Sequence, residues 1–89
     1  MFNAVVKEKK FQKLREEGYE VKHNKNVVII RNDEKILVEL IWLEDNQKII
    51  MTEDNVYWCI KIENIEILSK GIKICFYDAK KKYQEVEIE

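Results

Sequence analysis

The stretch Val56–Tyr77, VYWCIKIENIEILSKGIKICFY, decides the fold. Val56, Trp58, Ile60 and Ile62 share one parity, and Tyr57, Cys59, Lys61 and Glu63 share the other. A period of two marks a half-buried strand, because successive side chains leave opposite faces of the pleat. The first set is therefore expected inward and the second outward. Apolar parity changes between Ile62 and Ile65, which predicts a bulge or turn at Glu63-Asn64. Ser69-Lys70-Gly71 reads as a three-residue hairpin loop in which Gly71 supplies a positive φ. Beyond the loop, Ile72, Ile74 and Phe76 face inward and Lys73, Cys75 and Tyr77 outward.

The flanking chain continues in the same way. Tyr19–His23, Val27–Arg31, Lys35–Leu43, Lys48–Thr52 and Tyr83–Ile88 are short strand-like runs, broken by polar turns such as Asn24-Lys25-Asn26, Glu44-Asp45-Asn46 and Glu53-Asp54-Asn55. Valine and isoleucine supply 21 residues and aromatics nine, against seven for leucine and alanine together. That balance suits a pleated, half-buried surface. Every connection is shorter than the roughly dozen residues a parallel crossover requires. Lys35–Leu43, apolar on both parities except at Lys35 and Glu39, is expected to be the central strand, covered on both faces.

One segment is different. Lys7–Glu17, KEKKFQKLREE, is rich in straight-chain helix formers, with Phe11 and Leu14 on one face. Gly18 sits where a left-handed C-terminal cap belongs, from which Tyr19 reaches back onto Leu14. The helix is expected to begin between Asn3 and Lys7 and to cover about residues 4–17. The fold class is therefore α+β: one N-terminal amphipathic helix, then an antiparallel β-meander of about 6–8 short strands over about residues 19–88. The parity break points to a strongly curled sheet or a small, partly open barrel.

With 89 residues, the chain forms a single domain, 1–89. The apolar runs are too short to span a bilayer, and the first residues lack a secretory signal, so a cytoplasmic protein with no membrane partner is expected. Two glycines and no proline exclude a glycine-rich phosphate loop. A Ser–His–Asp triad would have to use Ser69 with His23, and a Cys–His pair His23 with Cys59 or Cys75; nothing flanking them resembles an activated nucleophile. Two cysteines separated by fifteen intervening residues do not make a zinc site, and the acidic loops lack calcium-loop spacing. No catalytic residue, metal ligand or cofactor is expected.

Binding remains. Trp42, Tyr57 and Tyr77 offer aromatic contact area, Lys61 and Lys73 add cations beside the tyrosines, and Glu44, Asp45, Glu53 and Asp54 form acidic turns at both ends of Lys48–Thr52. These residues constitute the expected partner-binding set, although Trp42 and Trp58 are by type core residues. The expected function is a small non-catalytic interaction protein for a larger protein or nucleoprotein partner. Its Ile/Lys/Asn/Glu-rich composition suits an inhibitor or accessory factor from a phage or mobile element. The alternative is a nucleic-acid-binding β-barrel, using Lys61, Lys73, Tyr57 and Tyr77 as a stacking and cationic face, with Lys80-Lys81-Lys82 as a basic loop. A formal charge of −1 opposes it, since phosphate affinity depends on cationic excess. The strand Tyr83–Ile88 is a further expected contact, as an edge pairing two copies into a homodimer.

Overall fold

The computed structural model describes residues 8–89. The expected helix start between Asn3 and Lys7 lies outside the described residues. Helix α1 spans Lys9–Glu16, followed by β1 (Glu20–Asn24), β2 (Val27–Arg31), β3 (Ile36–Trp42), β4 (Lys48–Met51), β5 (Val56–Ile67), β6 (Ile72–Asp78) and β7 (Tyr83–Ile88). All seven strands pair antiparallel in sequence order within one sheet. The two ends, β1 and β7, do not pair with each other. The expected barrel is thus corrected to an open sheet, neither closed nor strongly curled: the bulges bend single strands without bringing the ends together.

Helix α1 ends as its sequence requires. Gly18 adopts φ +94°, its N–H donates to Arg15 O at 3.1 Å, and the Tyr19 N–H donates to Leu14 O at 3.0 Å. That pair of bonds satisfies carbonyls the last helical turn leaves open, and the left-handed residue is glycine because it has no Cβ to clash. The cap turns the chain so that Tyr19 packs on the core and its hydroxyl donates to Gly71 O at 3.2 Å. Phe11 and Leu14, both fully buried, anchor the helix to the inner face of the sheet.

That inner face is wholly apolar. Val21, Val28, Ile30, Val38, Leu40, Ile50, Cys59, Ile62, Ile65, Ile72, Ile74 and Phe76 form one cluster with the two helix residues. No charged or polar side chain among the described residues is buried in it. At roughly 25 cal/mol per Å² of apolar surface, this single cluster is the dominant source of stability.

Three bulges set which residues belong to it. Between Ile30 and Arg31 the register with β3 shifts, so that Leu37 and Val38 both turn inward while Ile36, opposite Arg31, is left 46% exposed. In β5 a shift between Ile62 and Asn64 falls where the parity change predicts it. A second shift, between Cys59 and Lys61, has no counterpart in the sequence reading. It reverses the expected faces of the first half of β5. Tyr57 and Cys59 face the core, and Val56 and Trp58 point outward at 58% and 52% exposure. With both bulges accommodated, Val56–Ile67 is one continuous twelve-residue strand, so the break at Glu63-Asn64 is a bulge and not a turn.

Strand β3 is likewise corrected. It is third of seven, not central; the helix residues Phe11 and Leu14 pack on the face that carries Val38 and Leu40, and Glu39 and Ile41 on the other face are half-buried. Helix α1 packs against β1 and β5, with the Phe11 ring 6.5 Å from that of Trp42.

Candidate functional site

The outer face of β2–β5 forms two cross-strand rows. Val27 pairs with Ile41, Ile41 with Ile49 and Ile49 with Trp58. In the neighbouring row Ile29 pairs with Glu39, Glu39 with Met51 and Met51 with Val56. Seven of these eight side chains are apolar. Adjacent strands lie about 4.8 Å apart, so each row runs about 14 Å across the sheet. The buried partners Val28, Ile30, Leu40 and Ile50 occupy the opposite parity, which is why β2, β3 and β4 read as continuous apolar runs. Such runs arise where both faces of a sheet meet something other than water. Here the helix-side core accounts for one face only.

Charge is segregated around these rows. From Ile36 to Trp58 the chain carries five carboxylates (Glu39, Glu44, Asp45, Glu53 and Asp54) and one lysine (Lys48), a net of −4, whereas the remaining residues sum to +3. Lys48 points to the core side, where its Nζ donates to Ile60 O at 2.9 Å and Asn46 O at 3.1 Å. Glu44 and Asp45 sit in the β3–β4 turn, built on positive φ at Asp45 (59°) and Asn46 (62°). Glu53 and Asp54 form the tip of the four-residue β4–β5 loop, closed by the Thr52 N–H donating to Asn55 O at 2.9 Å. The four expected acidic residues thus flank the apolar rows at both ends.

A cleft of about 280 Å³ opens at one end of the face, between Lys35, Ile36, Glu39, Met51, Thr52 and Glu53. It is smaller than the roughly 300–1,000 Å³ usual for small-molecule sites. Lys35 bridges to Glu53 at its rim, 3.5 Å apart.

The other expected binding residues are elsewhere. Tyr57 faces the core, its ring 5.8 Å from Phe76, and Trp42 is partly buried beneath α1. Both leave the exposed surface, because the Cys59/Lys61 bulge and the helix position place them inside. Lys61, Lys73 and Tyr77 do face outward, on β5 and β6. Each is already engaged. Lys61 lies 3.2 Å from Glu63, Lys73 lies 3.6 Å from Glu66 and 3.5 Å from Glu85, and the Tyr77 ring packs edge-on against Tyr83 at 5.5 Å. Glu66 and Glu85 hold the Lys73 ammonium above its ordinary pKa.

Within this second cluster Cys75 is 1% exposed, its thiol donating to Glu66 Oε2 at 3.3 Å. Cys59 belongs to the inner core, so the two free cysteines lie on opposite faces. Burial raises the pKa of both thiols, which opposes nucleophilic use of either. His23 is exposed on β1, and Ser69 lies in the β5–β6 loop. Among the described residues no group of three or more His, Cys, Asp or Glu is placed to hold a metal ion, and no helix is long and apolar enough to cross a membrane.

No family model, curated protein or solved structure matches this chain. Trp58 is the principal residue that sequence reasoning assigned to the wrong side. The available signal was the pair Tyr57 and Cys59: a tyrosine and a buried-type thiol on one parity compete with Val56 and Trp58 on the other. Alternation alone does not rank them.

Proposed function

We propose that the protein is a non-catalytic interaction domain that binds a larger macromolecular partner, a protein, through the outer face of β2–β5. The observation that carries this reading is the pair of rows Val27–Ile41–Ile49–Trp58 and Ile29–Glu39–Met51–Val56, apolar at seven of eight positions, with Val56 and Trp58 more than half exposed and the other six half-buried. Contiguous apolar surface of this kind on a small domain marks a place where something docks. Trp58 supplies the large, low-entropy aromatic anchor typical of interface centres. The rim residues Glu44, Asp45, Glu53 and Asp54 contribute steering and orientation more than affinity. An inhibitor or accessory role fits a domain that acts by occupying a surface on something larger.

Affinity capture from the native host tests this. Wild-type protein and the Tyr77→Ala variant retain the same stoichiometric partner, and Trp58→Lys loses it without loss of folding. Capture that survives Trp58→Lys and fails with Tyr77→Ala or Lys73→Ala would move the site to the β5–β7 face. Recovery of nucleic acid in place of a protein would favour the nucleic-acid alternative.

A further inference from the structure

Glu39 is the one charged side chain inside the two apolar rows, with Ile29 and Met51 directly across from it on either side. It makes no ion pair among the described residues. The nearby cations are committed elsewhere. Lys35 lies 3.5 Å from Glu53, Lys22 lies 2.7 Å from Glu20, and Arg31 approaches Glu20 at 3.9 Å. Lys22, opposite Ile29 on β1, stands two strands from Glu39. In the free protein Glu39 is half-buried, so water still reaches it.

Docking changes that. A partner covering Ile29, Ile41 and Met51 necessarily removes water from Glu39. Leaving a carboxylate desolvated and unpaired is strongly unfavourable, and the penalty is relieved only by an opposite charge held at hydrogen-bonding distance. The cleft between Ile36, Met51 and Glu39 has the form such a charge requires. Two apolar walls accept the methylene stem of a lysine or arginine, and the carboxylate meets its head group. The net charge of −4 over Ile36–Trp58 favours the same sign of partner.

Resting on the docking reading above, we infer that the partner presents an amphipathic cationic protein segment, apolar toward Trp58 and Ile49, with one lysine or arginine seated at Glu39. A second copy of this chain is disfavoured as the occupant, because stacking two such faces brings acidic turns and Glu39 carboxylates together. Nucleic acid is disfavoured because its phosphates meet carboxylates here.

The test uses three 18-residue amphipathic peptides as probes, built of leucine with lysine, with glutamine or with glutamate. They are titrated into ¹⁵N-labelled protein while the Trp58 indole N–H and the Ile29, Ile41 and Met51 amides are followed. The leucine–lysine peptide shifts these signals saturably, and the leucine–glutamate peptide does not. Glu39→Gln weakens the leucine–lysine Kd about tenfold, the size expected for a close, desolvated charge pair. Glu87→Gln, which removes an equal charge from β7, leaves Kd within about twofold. Equal affinity for the glutamine peptide, or no effect of Glu39→Gln, overturns the cationic-partner inference while the Trp58 shifts leave the docking reading standing. Absence of any shift at Trp58 with all three peptides overturns both. Self-association through Trp58, or saturable binding of a 20-mer oligothymidylate at these signals, also overturns the inference.

Discussion

Replacing Tyr57 and Trp58 one at a time by threonine separates the two possible faces of β5. Threonine keeps strand propensity, so the comparison reads packing rather than backbone preference. Tyr57 packs on the core cluster, its ring 5.8 Å from Phe76. Full aromatic truncation in a core costs about 3–5 kcal/mol, of which an aromatic pair contributes about 0.5–1.5. For a half-buried ring, about 2 kcal/mol is expected. Trp58 is 52% exposed and projects from the opposite face, so its loss belongs with surface changes, at about 0.5 kcal/mol and below 1. In a domain of this size, 1 kcal/mol moves Tm by about 4–8 °C. Thermal denaturation followed by circular dichroism is therefore expected to show Tyr57→Thr melting roughly 8–16 °C below wild type and Trp58→Thr within about 5 °C. The reverse order, with Trp58→Thr the damaging change, would refute the Cys59/Lys61 bulge and restore uninterrupted alternation from Val56 to Ile62.

Three further outcomes follow from local geometry. Gly71 holds φ +90°, and a Cβ there would stand 2.1 Å from the Ile88 carbonyl oxygen, whereas Gly18 at φ +94° has nothing within 4 Å. Gly18→Ala should therefore cost only the left-handed penalty of about 1–2 kcal/mol, and Gly71→Ala distinctly more, as read from urea midpoints. Burial raises the Cys59 and Cys75 thiols above their ordinary 9.0, so their contribution is complete below about pH 9 and lost as pH rises through the folded values. Denaturation at pH 7 and pH 10.5 should show an alkaline loss that shrinks in the Cys59→Ala/Cys75→Ala variant. Asp78 is held below its ordinary 3.8 first by the Lys82 N–H and also by Gln84 and the Lys80 N–H. Its stabilisation is present above about pH 3.8 and fades as pH falls through the folded value, so Asp78→Asn should flatten the acid limb of a pH-dependent melting series.

Most of the fold was legible because local chemistry and tertiary need coincide. Gly18 after an apolar Phe11/Leu14 stripe specifies a helix end, and Gly71 between two alternating runs specifies a hairpin. Ile62 and Ile65 on different parities reveal a bulge, since both must reach one core. The Cys59/Lys61 bulge left no such trace. Val56-Tyr57-Trp58-Cys59 is apolar on both parities, so either face could have been inward. The choice fell to packing against Phe76 and Ile50, contacts set by residues distant in sequence. The same ambiguity hid the outer face. Val27, Ile29, Ile41 and Ile49 look like core when each strand is read alone; only the cross-strand register shows them stacking into a second, half-buried apolar face. The acidic turns were visible from the start because turns are exposed whichever way the strands face. Lys61 and Lys73 read as outward from alternation alone; Glu63, which pairs with Lys61, is two residues along the same strand, whereas Glu66 and Glu85, which pair with Lys73, come from β5 and β7 and appear only with the register.

Site-specific photo-crosslinking in the native host tests the central claim, that the outer face of β2–β5 is where this protein works, most directly. Benzoylphenylalanine is placed at position 58 or at position 77 and irradiated in living cells. A discrete adduct with one protein from position 58, and none from position 77, is the expected result. An adduct from position 77 alone, or none from position 58, would contradict the assignment of this face.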